Sequence, residues 1–246
     1  MTQICLKGPA IRAADPWVPS RDGMHQLLSE EDRSRLAVIA SIVRFKKGAE
    51  IYHESDRADA VFNIVSGVVK AYRCGLDGKE HVAAFLFPED VFGLAREGRY
   101  ANSVAALTPV TAYRIPVVAL RSHLAADAKV EFHIIAKLCH ELRQAQHHAF
   151  LLASRRTLPK LTMFLQMLEQ LQSANGDAAN EIYVPMDRSD IADYIGTTLA
   201  AVSRAFRALT TRGILQSRDR RHVKVIDRGA FEKLAAPRGA MPSVRC

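Results

Sequence analysis

This chain reads as an α+β protein: an N-terminal roll of short strands, a long helix, and a C-terminal winged helix-turn-helix. Three features of its 246 residues carry that reading. Turn signals recur every few residues between Ser41 and Val118, as in an all-β roll or barrel. Neither glycine nor proline interrupts residues 127–153, where helix-forming residues are dense. Asp187 to Leu215, DRSDIADYIGTTLAAVSRAFRALTTRGIL, reads as two short amphipathic helices parted by a tight turn at Gly196.

The strands follow from alternation and punctuation. Phe45-Lys46-Lys47-Gly48, Ile51-Tyr52 and Val61 to Val65 each end at a turn signal, the last at Ser66-Gly67. Val68 to Tyr72, the turn Leu76-Asp77-Gly78-Lys79 and the return from His81 to Phe87 predict a β-hairpin. In the long helix Ile135, Leu138, Leu142, Ala145, Ala149 and Leu152 recur at alternating spacings of three and four. That is an a/d seam, which packs either on the roll or against a second copy of the chain. A hinge is expected near Ala153 to Arg156, then a helix from Thr157 to Gln172 with Leu161, Phe164, Leu165, Leu168 and Leu171 on one face. A polar loop at 173–180 and a short strand Ile182 to Val184 lead into the paired helices.

The paired helices have an inner and an outer side. Ile191, Ala192 and Ile195 recur at helical spacing after Asp190, whose carboxylate suits a first turn. Gly196 fits a C-cap, and Thr197 or Thr198 can cap the next helix. At about 100° per residue, Leu199, Val202, Phe206 and Leu209 share the inner side of that second helix. Ala200, Arg204, Arg207, Ala208 and Thr211 share the outer side, with Ala201 and Ser203 flanking. A basic turn (Arg218, Asp219, Arg220, Arg221) then leads into an alternating strand, His222 to Ile226, as a wing would. A helix that shows arginines outward from such a pair suits the major groove of DNA.

The segment resembles the DNA-binding domain of the CRP/FNR superfamily of bacterial transcription regulators, and within it the FNR/FixK branch. The match rests on Met186, Arg188, Asp190 to Gly196, Val202-Ser203-Arg204, Leu209 and Gly213-Ile214. Recognition helices of that family usually carry Glu-x-x-Ser-Arg. Its serine and arginine fall on Ser203 and Arg204, while its glutamate falls on Ala200. A glutamate there accepts from cytosine N4, whereas alanine offers only a methyl, for instance to a thymine methyl. The order of strands and turns resembles the cyclic-nucleotide-binding β-roll, a jelly roll that forms the sensor domain in the same superfamily. The resemblance implies a glutamate just after a glycine for the ribose and an Arg-Ser pair for the cyclic phosphate. Here Phe92-Gly93 precedes Leu94, and the later stretch is Arg99-Tyr100-Ala101-Asn102-Ser103-Val104, so cyclic AMP is disfavoured.

Composition narrows the function classes. From Arg155 onward 15 Lys/Arg face 9 Asp/Glu, a net of +6, against +2 for the preceding part. The excess lies around the proposed reading helix, as a footprint for phosphate requires. No apolar run is long enough for a bilayer and the start lacks a signal-peptide pattern, so a cytoplasmic protein with no membrane partner is expected. The cysteines Cys5, Cys74, Cys139 and Cys246 are too far apart for a local metal motif, and only Cys5 lies where FNR-type sensors cluster theirs. Cys74 and Cys139 are the candidates for redox sensing. The adjacent His147 and His148 point about 100° apart on a helix, and neither metal nor haem is expected. No nucleophile–base set, P-loop or metal quartet is visible, so neither catalysis nor a cofactor is expected.

The expected organisation is a loose extension (1–25), a sensor roll (26–126), a dimerisation helix (127–153), a winged helix-turn-helix domain (154–236) and a disordered tail (237–246). The expected function is a homodimeric, sequence-specific regulator reading a two-fold symmetric site on double-stranded DNA through helix 198–211. Arg204, Ser203, Arg207 and Ala200 are the base-reading candidates. Arg188, Thr198, Arg218, Arg220, Arg221 and Lys224 are the phosphate candidates. RNA polymerase becomes a partner if the protein activates. The alternative is a ligand-, gas- or redox-gated sensor of the same architecture, whose DNA binding needs an effector in the roll.

Overall fold

The computed structural model describes residues 38–76, 78–95, 97–126, 135, 142, 144–154, 156–173 and 181–236. The extension 1–25, the tail 237–246, the loop 174–180, Arg96, Leu138, Cys139 and the hinge residue Arg155 lie outside them, as do Cys5 and Cys246.

Among the described residues eight strands form the roll: β1 (Ser41–Phe45), β2 (Glu50–Tyr52), β3 (Ala60–Ser66), β4 (Val69–Cys74), β5 (Glu80–Leu86), β6 (Val91–Phe92), β7 (Ser103–Ala106) and β8 (Val110–Pro116). They make two antiparallel four-stranded sheets, ordered β1-β8-β3-β6 and β2-β7-β4-β5. The β4–β5 hairpin pairs Cys74 with Glu80 and Val69 with Leu86, its register shifting between Ala71 and Tyr72. At the β3–β4 turn Gly67 sits at φ +90°, and a Cβ there would overlap the Pro109 carbonyl, so only glycine closes the turn. The sheets enclose Tyr52, Phe62, Ile64, Phe92, Tyr100 and Val104, all buried. Helix α1 (Val117–Ala126) follows β8 and buries Leu120 against Val61 and Ile115.

Residues 144–153 are helical, and that helix ends before Ser154, ahead of α2 (Thr157–Ser173). Leu161, Phe164, Leu165 and Leu168 of α2 are fully buried, which is the apolar face read from its spacing. The rest is β9 (Glu181–Tyr183), α3 (Arg188–Tyr194), α4 (Leu199–Thr211), β10 (Leu215–Ser217), β11 (His222–Val225) and α5 (Arg228–Ala235). The three strands order β10-β11-β9, all antiparallel. Helix α5 was not anticipated. The Asp227 carboxylate caps it by accepting from Ala230 N–H at 2.9 Å, and Phe231 sinks completely into the core. Arg228 fastens it to α2 through two hydrogen bonds of 2.6 Å to the Glu169 carboxylate.

The two halves share apolar packing. Val68, Val82, Phe85 and Phe87 of the roll belong to the same buried cluster as Phe164, Ile191, Tyr194 and Leu209. The Phe85 ring centroid lies 4.9 Å from that of Tyr194 and 5.9 Å from that of Phe164.

Candidate nucleic-acid interface

The helix pair is built by its ends. Ile191, Ala192 and Ile195 are buried, and α3 stops where Gly196 takes φ +63°. There Thr197 N–H donates to the Ala192 carbonyl at 2.8 Å and Gly196 N–H to Asp193 at 3.0 Å, the hydrogen-bond pattern of a left-handed helix cap. The carbonyls of Ile195 and Gly196 accept from the buried Lys160 ammonium at 2.9 and 3.4 Å. Burial lowers the Lys160 pKa. Thr198, rather than Thr197, caps α4, its hydroxyl oxygen accepting from Ala201 N–H at 3.2 Å. A chain so fixed holds α4 at one angle to the rest of the domain.

Val202, Ala205, Phe206 and Leu209 point into the core. Ala200, Ser203, Arg204, Arg207 and Thr211 are exposed, so the candidate base-reading side chains lie together on one outer face. Leu199 departs from expectation. Helical spacing puts it on the inner side, yet it is 51% exposed and adds an apolar residue to the outward N-terminal end of α4, beside Ala200. Ala205 was missed as a core residue because a lone methyl gives little periodic signal.

The phosphate candidates divide. Arg220 and Lys224 are exposed on the wing. Arg218 hydrogen-bonds Glu181 at 3.1 Å and Arg221 hydrogen-bonds Asp187 at 2.9 Å, so both also brace the domain. The wing turn is tied by the Asp219 carboxylate, which accepts from the backbone N–H of Arg221 and His222 at 2.6 and 2.8 Å. Those bonds, the Arg221 one foremost, hold its carboxyl below the usual range. Arg188 stands apart among these residues. Its guanidinium carbon lies 3.0 Å from the Phe206 ring centroid, and Nη1 is buried without a hydrogen-bond partner among the described residues. Burial pushes its pKa down to about 10. In this conformation it supports α4 from behind rather than facing a phosphate.

The residues expected to form the seam face solvent where they are described. Ile135, Leu142 and Leu152 are 51%, 61% and 42% exposed, and Ala145 and Ala149 are exposed as well. Phe150, not assigned to the seam, is also exposed, whereas Leu151 is buried in the C-terminal core. Leu138 falls outside the described residues.

The interior of the roll is packed with aromatic rings. The Tyr52 and Tyr100 rings stack at 3.6 Å, Phe62 and Phe92 stack at 5.1 Å, and Tyr100 donates its hydroxyl to the Ala60 carbonyl at 2.8 Å. Arg99 donates to the Ser55 carbonyl at 2.7 Å. Cys74 is exposed at the end of β4. Among the described residues no three His, Cys, Asp or Glu side chains gather as metal ligands, and no helix is long and apolar enough to cross a membrane.

A roll joined to a winged helix-turn-helix with an exposed, arginine-bearing second helix defines a DNA-binding regulator. Two family models match, the cyclic nucleotide-binding domain over residues 42–127 and the Crp-like helix-turn-helix domain over 159–234. The nitrogen fixation regulation protein FixK of Bradyrhizobium diazoefficiens is 30% identical over 173 residues, 70% of this chain and 73% of its own. FixK of Azorhizobium caulinodans is 28% identical over 200 residues, 81% of each chain. The solved structure of FixK2 from Bradyrhizobium japonicum superposes with a TM-score of 0.74 at 30% identity, covering 81% of this chain and 98% of that one. The chain belongs to the CRP/FNR family of transcription regulators, in its FNR/FixK branch.

Proposed function

We propose that the protein acts as a homodimer whose two α4 helices read adjacent major grooves of a two-fold symmetric DNA site. The carrying observation is the shared exposure of Ser203, Arg204 and Arg207 on a helix whose opposite side buries Val202, Ala205, Phe206 and Leu209. Regulators of this family bind DNA and act as dimers. In this chain the exposed apolar residues Ile135, Leu142 and Leu152 supply a seam, which would hold the heads about 34 Å apart.

Arg204 donates in pairs to guanine O6 and N7, while Ser203 and Arg207 serve bases or phosphates. Leu199 and Ala200 present an apolar end suited to thymine methyl groups. Thr198, Arg220 and Lys224 contact phosphate, with Arg218 and Arg221 contributing while they hold Glu181 and Asp187. We place the working units at 26–126, 127–153 and 154–236. In the cytoplasm, a dimer bound beside a promoter has RNA polymerase as its further partner when it activates. Leu94 after Gly93, and the lack of an Arg-Ser pair in the stretch from Arg99 to Val104, support a sensor that does not use cyclic AMP.

Replacing Arg204 by alanine is expected to cost about 1–3 kcal/mol on the preferred site and relax one base position. Arg220→Ala is expected to weaken preferred and random DNA alike and lower the salt slope by about one. Binding titrations at several salt concentrations check both. Equal losses on preferred and random DNA for Arg204→Ala would contradict the division of roles.

A further inference from the structure

The back of the reading head is gripped from two sides, and both grips meet at the end of α3. From the roll, the backbone N–H of Val82 on β5 donates to Asp193 Oδ2, and His81 Nδ1 lies 3.2 Å from Asp193 Oδ1. One turn earlier Lys70 of β4 bridges Glu80 at 2.6 Å and Asp190 at 3.3 Å. Beneath these polar contacts Phe85 packs on Tyr194. From the long helix, the His148 ring stacks on Tyr194 at 4.0 Å with only 2° between planes, and His148 Nε2 lies 2.7 Å from the Tyr194 carbonyl oxygen. Leu152 closes the same corner: a Cβ on Gly196 would come within 2.9 Å of its Cδ2.

We infer that Asp193 and Tyr194 are positioning residues that fix the angle of the reading helix to the sensor hairpin and to the seam helix, and so set the half-site spacing the dimer accepts. The geometry goes beyond domain stability. None of these side chains lies on the outward face of α4, yet they join the three elements whose relation decides where that face points. Backbone contact by Asp193 matters most, because an N–H on a strand edge cannot drift as a long side chain can. Fixing α3 fixes α4 through the Gly196 turn. The β4–β5 hairpin and α3 are thereby tied at Asp193. This reading rests on the dimeric, groove-reading function proposed above.

The test uses the full chain and a palindrome selected by the wild-type protein from random DNA, together with versions whose half-sites are one base pair closer or farther apart. Wild type is expected to prefer the selected spacing. Asp193→Ala is expected to reduce that preference about tenfold or more, toward equal binding of all three, as the loss of a coupling interaction requires. Asp193→Asn, whose amide oxygen still accepts from Val82 N–H, should retain most of it. A melting temperature for each variant keeps folding separate from positioning, since a merely destabilised head loses all spacings together. If Asp193→Ala keeps the wild-type spacing preference, the inference is overturned, whatever its affinity. If wild type selects no palindrome at all, the failure lies with the proposed function instead.

Discussion

At the scale of single residues, α4 is a helix whose chemistry changes along its length. Its first turn shows Leu199 and Ala200 and its middle shows Ser203, Arg204 and Arg207. On the proposed function, Ala200 is the position at which the half-site word departs from the family's usual one. Ala200→Glu is expected to shift the selected base at one position toward a pair presenting cytosine N4, worth about 1–3 kcal/mol of discrimination; an unchanged preference in the selected pool would contradict it. The arginines and the buried triad Val202, Phe206, Leu209 were legible, because charge and period point to opposite sides of one wheel. Leu199 was not, because a residue at the first helical position leans over the preceding turn, and here that turn leaves the core. Arg188 was not, because its apolar stem and planar cation let it lie on Phe206 although its charge reads as surface.

Tyr194 carries a residue-scale prediction of its own. Burial raises its pKa to about 12, and Tyr72 is raised to about 12 by burial and then by Glu50. Each folded value lies above the unfolded value of about 10, so the fold favours the protonated phenol. The associated stability is complete below about pH 10 and is lost as pH climbs toward 12. Melts followed alongside tyrosinate absorbance should show the melting temperature falling in that window. Ionisation of all six tyrosines near pH 10 with no loss of structure would contradict the burial.

At the scale of elements, the residues expected to form the seam leave apolar surface uncovered where they are described. Leu142 is 61% exposed in the single chain, although leucine at that position repeats a heptad pattern. Leu142→Asp is expected to give monomers in sedimentation and to weaken DNA binding by about a hundredfold or more, since the second head is no longer tethered to the first. A dimer that survives the change would refute the seam. The hairpin, α2, the helix pair and the wing strand were legible because each combines a period with its own punctuation. Helix α5 was not: eight residues give two turns, too few for a period to stand out, and its cap at Asp227 is a common residue.

At the scale of the molecule, sensor and head are joined through side chains far apart in sequence. His81 and Asp193 are 112 positions apart and Phe85 and Tyr194 lie on separate domains, so no local pattern could pair them. What the sequence did show was the excess positive charge of the C-terminal part, which the fold turns outward at Arg204, Arg207, Arg220 and Lys224. Together these make one expectation: a dimer that steers to DNA by charge, reads it with α4, and accepts one spacing because its heads are held. Selection of bound sequences from a random DNA pool by the full-length protein tests this most directly. The result expected is an enriched two-fold symmetric motif with half-sites about one helical turn apart, guanine at the position lost in Arg204→Ala. Enrichment of a single asymmetric half-site, or no enrichment over the starting pool, would contradict the account.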